Sequence, residues 1–115
     1  MTISPHTSSV TLESIQEAAK LLDGIARVTP IESSRALEAF TGTKTYLKCE
    51  NLQRSGSFKV RGAYVRMARL SDEEKSRGVI AASAGNHAQG VALAAAALGI
   101  PAIVYMPAGA ALPKI

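Results

Sequence analysis

Lys59 is the residue whose type and setting best suit it to chemistry. It closes the run Ser55-Gly56-Ser57-Phe58-Lys59, which leads from a predicted strand into a predicted helix. The lysine falls in the first helical turn, where its positive charge opposes the helix dipole. That setting favours the neutral amine, the form that attacks a carbonyl and holds it as a Schiff base. The plain alternative is a lysine that reaches out to solvent, and spacing alone favours that alternative.

A second loop, Ser83-Ala84-Gly85-Asn86-His87, makes the same passage from strand to helix. The first N–H groups of a helix lack partners inside it, and the positive end of its dipole lies there. Such a terminus suits a carboxylate or a phosphate. Asn86 and Ser83 serve equally well as the helix cap. Gly85 suits a backbone that turns sharply or approaches a ligand closely. His87 has the chemistry of a base, but no partner for it is identifiable, and it reads as structural.

The elements that must carry these loops follow from periodicity. Residues 1–10 are polar and are expected to form a disordered tail. Thr11 caps a helix whose apolar residues Leu12, Ile15, Ala18, Ala19, Leu22 and Ile25 recur at helical spacing. Thr29-Pro30 breaks it and starts an extended segment. Residues 34–40 form a short helix closed by Gly42, so 11–43 is a helical and extended N-terminal segment. Residues 44–49 alternate as a strand, and 57–70 form a helix. Ser71-Asp72-Glu73-Glu74 is a capping box for a short helix ended by Gly78. Val79-Ile80-Ala81-Ala82 is an apolar strand, expected to be covered on both faces. Residues 86–98 form a helix, stopped by Gly99. Its apolar second half, from Val91 to Leu98, predicts packing on more than one side. Residues 102–106 are another apolar strand.

From Lys44 onward the order is therefore β-α-β-α-β. Helical crossovers of this length join parallel strands, so the fold class is α/β with an open parallel sheet. Ligands gather beyond the carboxyl ends of such strands, where both loops fall. Residues 44–115 are expected to be the start of a catalytic region. Leu112-Pro113-Lys114-Ile115 resembles the opening of another helix, and three strands make a thin sheet. The chain is accordingly expected to be cut short, and to be incomplete as an enzyme by itself.

Other chemistries find little support. Lys and Arg outnumber Asp and Glu by 13 to 9, but the cations are scattered and do not interleave with aromatics, which argues against a nucleic-acid partner. Cys49 is the single cysteine, so no internal disulfide and no cysteine-rich metal site is expected; it reads as a buried or half-buried strand thiol. The polar start lacks the apolar core of a signal peptide, and no run of 18 apolar residues predicts a membrane span. A cytoplasmic protein with no membrane partner is the expectation. The phosphate-binding P-loop, the dinucleotide fingerprint and the nucleophile elbow are all absent.

The two loops carry a resemblance. Glu50-Asn51-Leu52-Gln53-Arg54-Ser55-Gly56-Ser57-Phe58-Lys59-Val60-Arg61-Gly62-Ala63 resembles the cofactor-lysine segment of threonine dehydratases and serine racemases. Ala82-Ser83-Ala84-Gly85-Asn86-His87-Ala88-Gln89-Gly90 resembles their substrate loop, and the similarity continues through Met106-Pro107 and Leu112-Pro113-Lys114. These are fold-type II pyridoxal-phosphate enzymes, similar to the tryptophan synthase β chain. The resemblance implies that Lys59 carries pyridoxal 5'-phosphate, that Phe58 packs against its ring and that Asn86 bonds the ring hydroxyl. It implies that Ser83 and the backbone of Ala84, Gly85, Asn86 and His87 hold the carboxylate of a small amino-acid substrate. The implied reaction is dehydration and deamination of threonine or serine, in an enzyme that is a homo-oligomer when full length. Cysteine and threonine synthases usually have Asp after the lysine, and this chain has Val60-Arg61-Gly62, as in the dehydratases. Racemases place a serine before the loop glycine, and this chain has Ala84, which favours elimination. The family's glycine-rich phosphate cup is missing here, since no two of the nine glycines are adjacent.

Overall fold

The computed structural model describes residues 10–110. The expected tail lies outside these residues up to position 9, as does the helix start expected at 112–115. The described chain runs α1 (Leu12–Leu21), β1 (Ile31–Ser33), α2 (Arg35–Thr41), β2 (Tyr46–Lys48), α3 (Lys59–Ala68), α4 (Asp72–Arg77), β3 (Val79–Ala82), α5 (Asn86–Leu98) and β4 (Ala102–Tyr105). Two short 3-10 turns, Glu50–Leu52 and Arg54–Gly56, join β2 to α3.

Local signals place the helices. Thr11 and Ser14 form a reciprocal cap on α1, each side chain bonding the other's backbone N–H at 3.1 Å. Ser34 caps α2 and Gly42 closes it. Ser71 and Glu74 form the expected capping box on α4. The helix expected over 57–70 is shorter, with Lys59 as its first residue. Ser57 is still extended, and its hydroxyl receives the Lys59 N–H at 3.4 Å.

The α/β class holds, with one difference in pairing. The parallel ladder joins β3 to β4, with Ile80 opposite Ile103 and Ala82 opposite Tyr105. The strand expected at 44–49 forms as β2, but it pairs antiparallel with β1 in a sheet of its own. The extended segment that Thr29-Pro30 starts lies one short helix away in sequence and supplies a ready antiparallel partner. Cys49 N–H to the Pro30 carbonyl and Ser34 N–H to the Thr45 carbonyl extend that ladder at both ends.

The core lies between α3 and α5 and under β3–β4. Ala63 and Met67 of α3 meet Val91, Ala94 and Ala95 of α5, with Ile100 beside them. Val79, Ala81 and Val104 close this core from the sheet. The expectation that β3 is covered on both faces is not met among the described residues. Ile80, Ile103 and Tyr105, on the opposite face, are 71%, 55% and 63% exposed. Likewise α5 buries one stripe, while Ala92, Ala96 and Ala97 face outward. Gly78 fixes the sheet's entry. It has φ +80°, and a Cβ there would lie 2.6 Å from the Pro101 carbonyl oxygen. That oxygen accepts the Val79 N–H at 2.8 Å.

Candidate active site

A clamp between Glu50 and Arg61 brackets Lys59 in the chain. Glu50 opens the loop that ends at the lysine, and Arg61 lies two residues beyond it in α3. The Arg61 guanidinium donates to both Glu50 carboxylate oxygens at 2.9 Å. The Thr29 hydroxyl donates to the same carboxylate at 2.6 Å, and Arg61 also reaches the Arg27 carbonyl at 3.1 Å. Buried Gln53 completes the frame. Its side-chain amide pairs with the Arg27 backbone as a strand would, accepting from N–H and donating to C=O at 2.9 Å each. Hydrogen bonding from Arg61, with help from Thr29 and against the cost of burial, holds the Glu50 carboxyl at about 2 rather than 4.5. The loop then turns through Ser55 and Gly56, both with left-handed φ, 64° and 68°. A left-handed serine is a strained conformation of the kind that clusters at functional loops, and its buried hydroxyl has no hydrogen-bond partner among the described residues.

Beyond the clamp, Phe58 and Lys59 border a groove of about 580 Å³, within the ~300–1,000 Å³ usual for small-molecule sites. Its walls are largely apolar, with Ala63, Met67, Val79 and Val91 among them, and Arg61 and Arg66 line it as well. Phe58 is 58% exposed, and the Lys59 amine stands 5.2 Å from its ring centre, within cation–π range. His87, exposed at the start of α5, borders the same groove.

The loop from Ser83 to His87 is built around a hydroxyl. Ser83 Oγ accepts the Gly85 N–H at 3.2 Å and the Ala88 N–H at 3.3 Å, so Ser83 rather than Asn86 provides the side-chain cap. Asn86 is the first residue of α5. Gly85 has an extended backbone, and a Cβ there would meet nothing within 4 Å. Neither strain nor crowding by the described residues therefore requires glycine at that position. Ser83 and Ala84 line a separate hollow at the carboxyl ends of β3 and β4, with Tyr105, Met106 and Pro107. The structure thus gathers Phe58, Lys59 and His87 at one groove and sets Ser83 and Ala84 at a neighbouring hollow.

Sequence reasoning did not single out the Glu50–Arg61–Thr29–Gln53 clamp or Gly90. A Cβ on Gly90 would lie 2.9 Å from the Lys59 carbonyl carbon and 3.0 Å from both its Cβ and its oxygen. A glycine inside an alanine-rich helix costs about 0.8–1.0 kcal/mol relative to alanine. That local penalty was the one available signal, and it does not reveal the partner.

A primary amine beside an exposed aromatic face, in an apolar groove of this size, suits an aromatic aldehyde. The chain belongs to the pyridoxal-phosphate-dependent enzyme family, whose model matches residues 22–115. It is 57% identical over 106 residues to the L-threonine ammonia-lyase of Thermotoga maritima, covering 92% of this chain and 26% of that protein. It is 50% identical over 99 residues to an L-threo-3-hydroxyaspartate ammonia-lyase of a Pseudomonas species, covering 86% of this chain and 31% of that one. Its fold superposes on maize serine racemase with a TM-score of 0.83 at 42% identity, covering 91% of this chain and 32% of that structure. The chain therefore spans between a quarter and a third of these relatives' length. Among the described residues no helix is long and apolar enough to cross a membrane, and no cluster of residues suited to a metal ion occurs.

Proposed function

We propose that the full-length protein is a cytoplasmic, homo-oligomeric dehydratase that converts L-threonine, and also L-serine, to the 2-oxo acid and ammonia. The observation that carries this reading is Lys59 itself, a primary amine in the first turn of α3 that lines a largely apolar groove beside Phe58. The 57% identity to an L-threonine ammonia-lyase supports the choice of reaction.

Pyridoxal phosphate, when bound, supplies an electron sink for the charge left on the substrate α-carbon. Lys59 would hold it covalently, with Phe58 against its ring and Asn86 at its ring hydroxyl. The Lys59 Nζ would take the proton from the substrate Cα. The Cβ–O bond breaks, and the hydroxyl leaves as water with a proton that the Lys59 ammonium so formed can return. Hydrolysis of the released enamine gives the 2-oxo acid and ammonia.

The loop from Ser83 to His87 would hold the substrate carboxylate at the N-terminus of α5, where the helix dipole favours an anion. Ser83 Oγ accepts two N–H bonds yet keeps its own proton to donate, and that proton suits a carboxylate oxygen.

A racemase is the second reading, favoured by the superposition on maize serine racemase. Racemisation needs a proton donor on the face opposite Lys59, and Ala84 has none to give.

The test is release of 2-oxobutanoate from L-threonine by the full-length protein and by Lys59→Ala. Turnover by the wild type and loss of at least ~10³-fold in the variant is the expected result. Substantial turnover by Lys59→Ala without added amine would overturn the assignment.

A further inference from the structure

We infer that Gly90 is a positioning residue for Lys59, setting how closely α5 approaches the lysine's backbone. The inference rests on the proposed role of Lys59. Gly90 is buried in the second turn of α5, and a Cβ there would press on the Lys59 backbone at 2.9–3.0 Å. Those neighbours are the carbonyl carbon, its oxygen and the Cβ, none of which can swing aside as a long side chain can.

Of the glycines on α3 and α5, only Gly90 is crowded in this way. Gly62 on α3 and Gly85 at the start of α5 would each meet nothing within 4 Å. Helix propensity argues the other way at position 90, because α5 is otherwise rich in alanine and alanine is the better helix former. Glycine there serves a contact.

The contact joins the two halves of the site. Asn86 and Gly90 lie four residues apart, on one face of α5. The face that touches Lys59 is therefore the face that begins at the loop from Ser83 to His87. Val60, beside the lysine, is fully buried, so the backbone there has little room to adjust outward. Adding a methyl at position 90 forces α3 and α5 apart where their N-terminal turns meet, and moves the Lys59 amine relative to the substrate loop. Misplacements of this order at a reacting group reach about 10²-fold in rate when they approach 1 Å.

The experiment compares full-length holoenzymes of the wild type, Gly90→Ala and Ala92→Gly. Ala92 lies in the same helix with an exposed side chain, so Ala92→Gly weakens the helix without touching Lys59. Thermal melting and kcat and KM for threonine are measured for each holoenzyme, and the rate at which borohydride traps re-added pyridoxal phosphate on Lys59 is measured after the bound cofactor has been stripped from each. Gly90→Ala is expected to keep a cooperative melt, to lose roughly 10-fold or more in kcat with KM changed less than about threefold, and to label Lys59 more slowly. Ala92→Gly is expected to melt lower with kcat and labelling unchanged. Wild-type kcat and labelling in Gly90→Ala would overturn the inference. So would a Gly90→Ala chain that fails to fold where Ala92→Gly folds, which would make the contact a packing requirement alone. Absence of labelling at Lys59 in the wild type would overturn the reading of Lys59 on which the inference rests.

Discussion

Arg61 grips Glu50 through two contacts of 2.9 Å, one from Nε and one from Nη2. The pair ties the first residue of the loop to the first turn of α3, two residues past Lys59. The side chains are one-third and one-sixth exposed, at 33% and 17%, so water screens the pair only in part.

The Glu50 carboxyl titrates at about 2 in the folded chain against 4.5 for the free group. A depressed folded value means that the ionised form stabilises the fold. That contribution is complete above pH 4.5 and is lost as the pH falls towards 2. With partial screening it is about 1–2 kcal/mol. Urea midpoints of the wild type and Glu50→Gln, measured across this range, should differ at pH 7 and converge in acid. Parallel curves would contradict the clamp.

Ala84→Ser restores a hydroxyl before the loop glycine. In the full-length protein it should introduce measurable racemisation of serine or activity on D-serine, since a positioned acid–base group is worth about 10²–10⁴-fold. Chiral chromatography of serine after incubation reads this directly. No D-amino-acid chemistry above the wild type would show that position 84 does not separate the two reactions.

The sequence's local signals were legible and its distant ones were not. Thr11, Ser34 and Ser71 announce helix starts through their own first-turn bonds, and the bounds of β3 and α5 follow from short-range pattern. The partner of β2 depends on a segment thirteen to seventeen positions away, and alternation in one strand does not say which other strand it meets. Glu50 and Arg61 are eleven residues apart across an irregular loop, so no single helix or strand period links them. The proximity of Gly90 to Lys59 arises only when α5 packs on α3. The local setting of Lys59 at a helix start left a solvent-exposed lysine the simpler reading, and it was the resemblance of the surrounding motif that singled it out.

Ser71→Ala removes the hydroxyl that receives the Glu74 N–H at 3.2 Å and breaks the capping box on α4. The expected loss is about 1 kcal/mol of stability, with no change in turnover. Chemical denaturation checks it. A loss below a few tenths would mean that α4 is held by its neighbours rather than by its cap.

The open face of β3–β4 sets Ile80 beside Ile103 and carries Tyr105 next to them. Contiguous apolar surface of this kind drives association. Residues 1–115 expressed alone should bind a hydrophobic dye and scatter light at micromolar concentration, and Ile80→Lys with Ile103→Glu should reduce both. A monomeric wild-type chain that binds no dye would contradict this.

The most direct measurement is the chemical identity of the cofactor lysine. The full-length protein is loaded with pyridoxal phosphate, reduced with borohydride, digested and mapped by mass spectrometry. The reduced adduct is expected on Lys59, in stoichiometric yield and lost in Lys59→Ala. An adduct spread over exposed lysines such as Lys20 or Lys44, or confined to a different lysine, would contradict this.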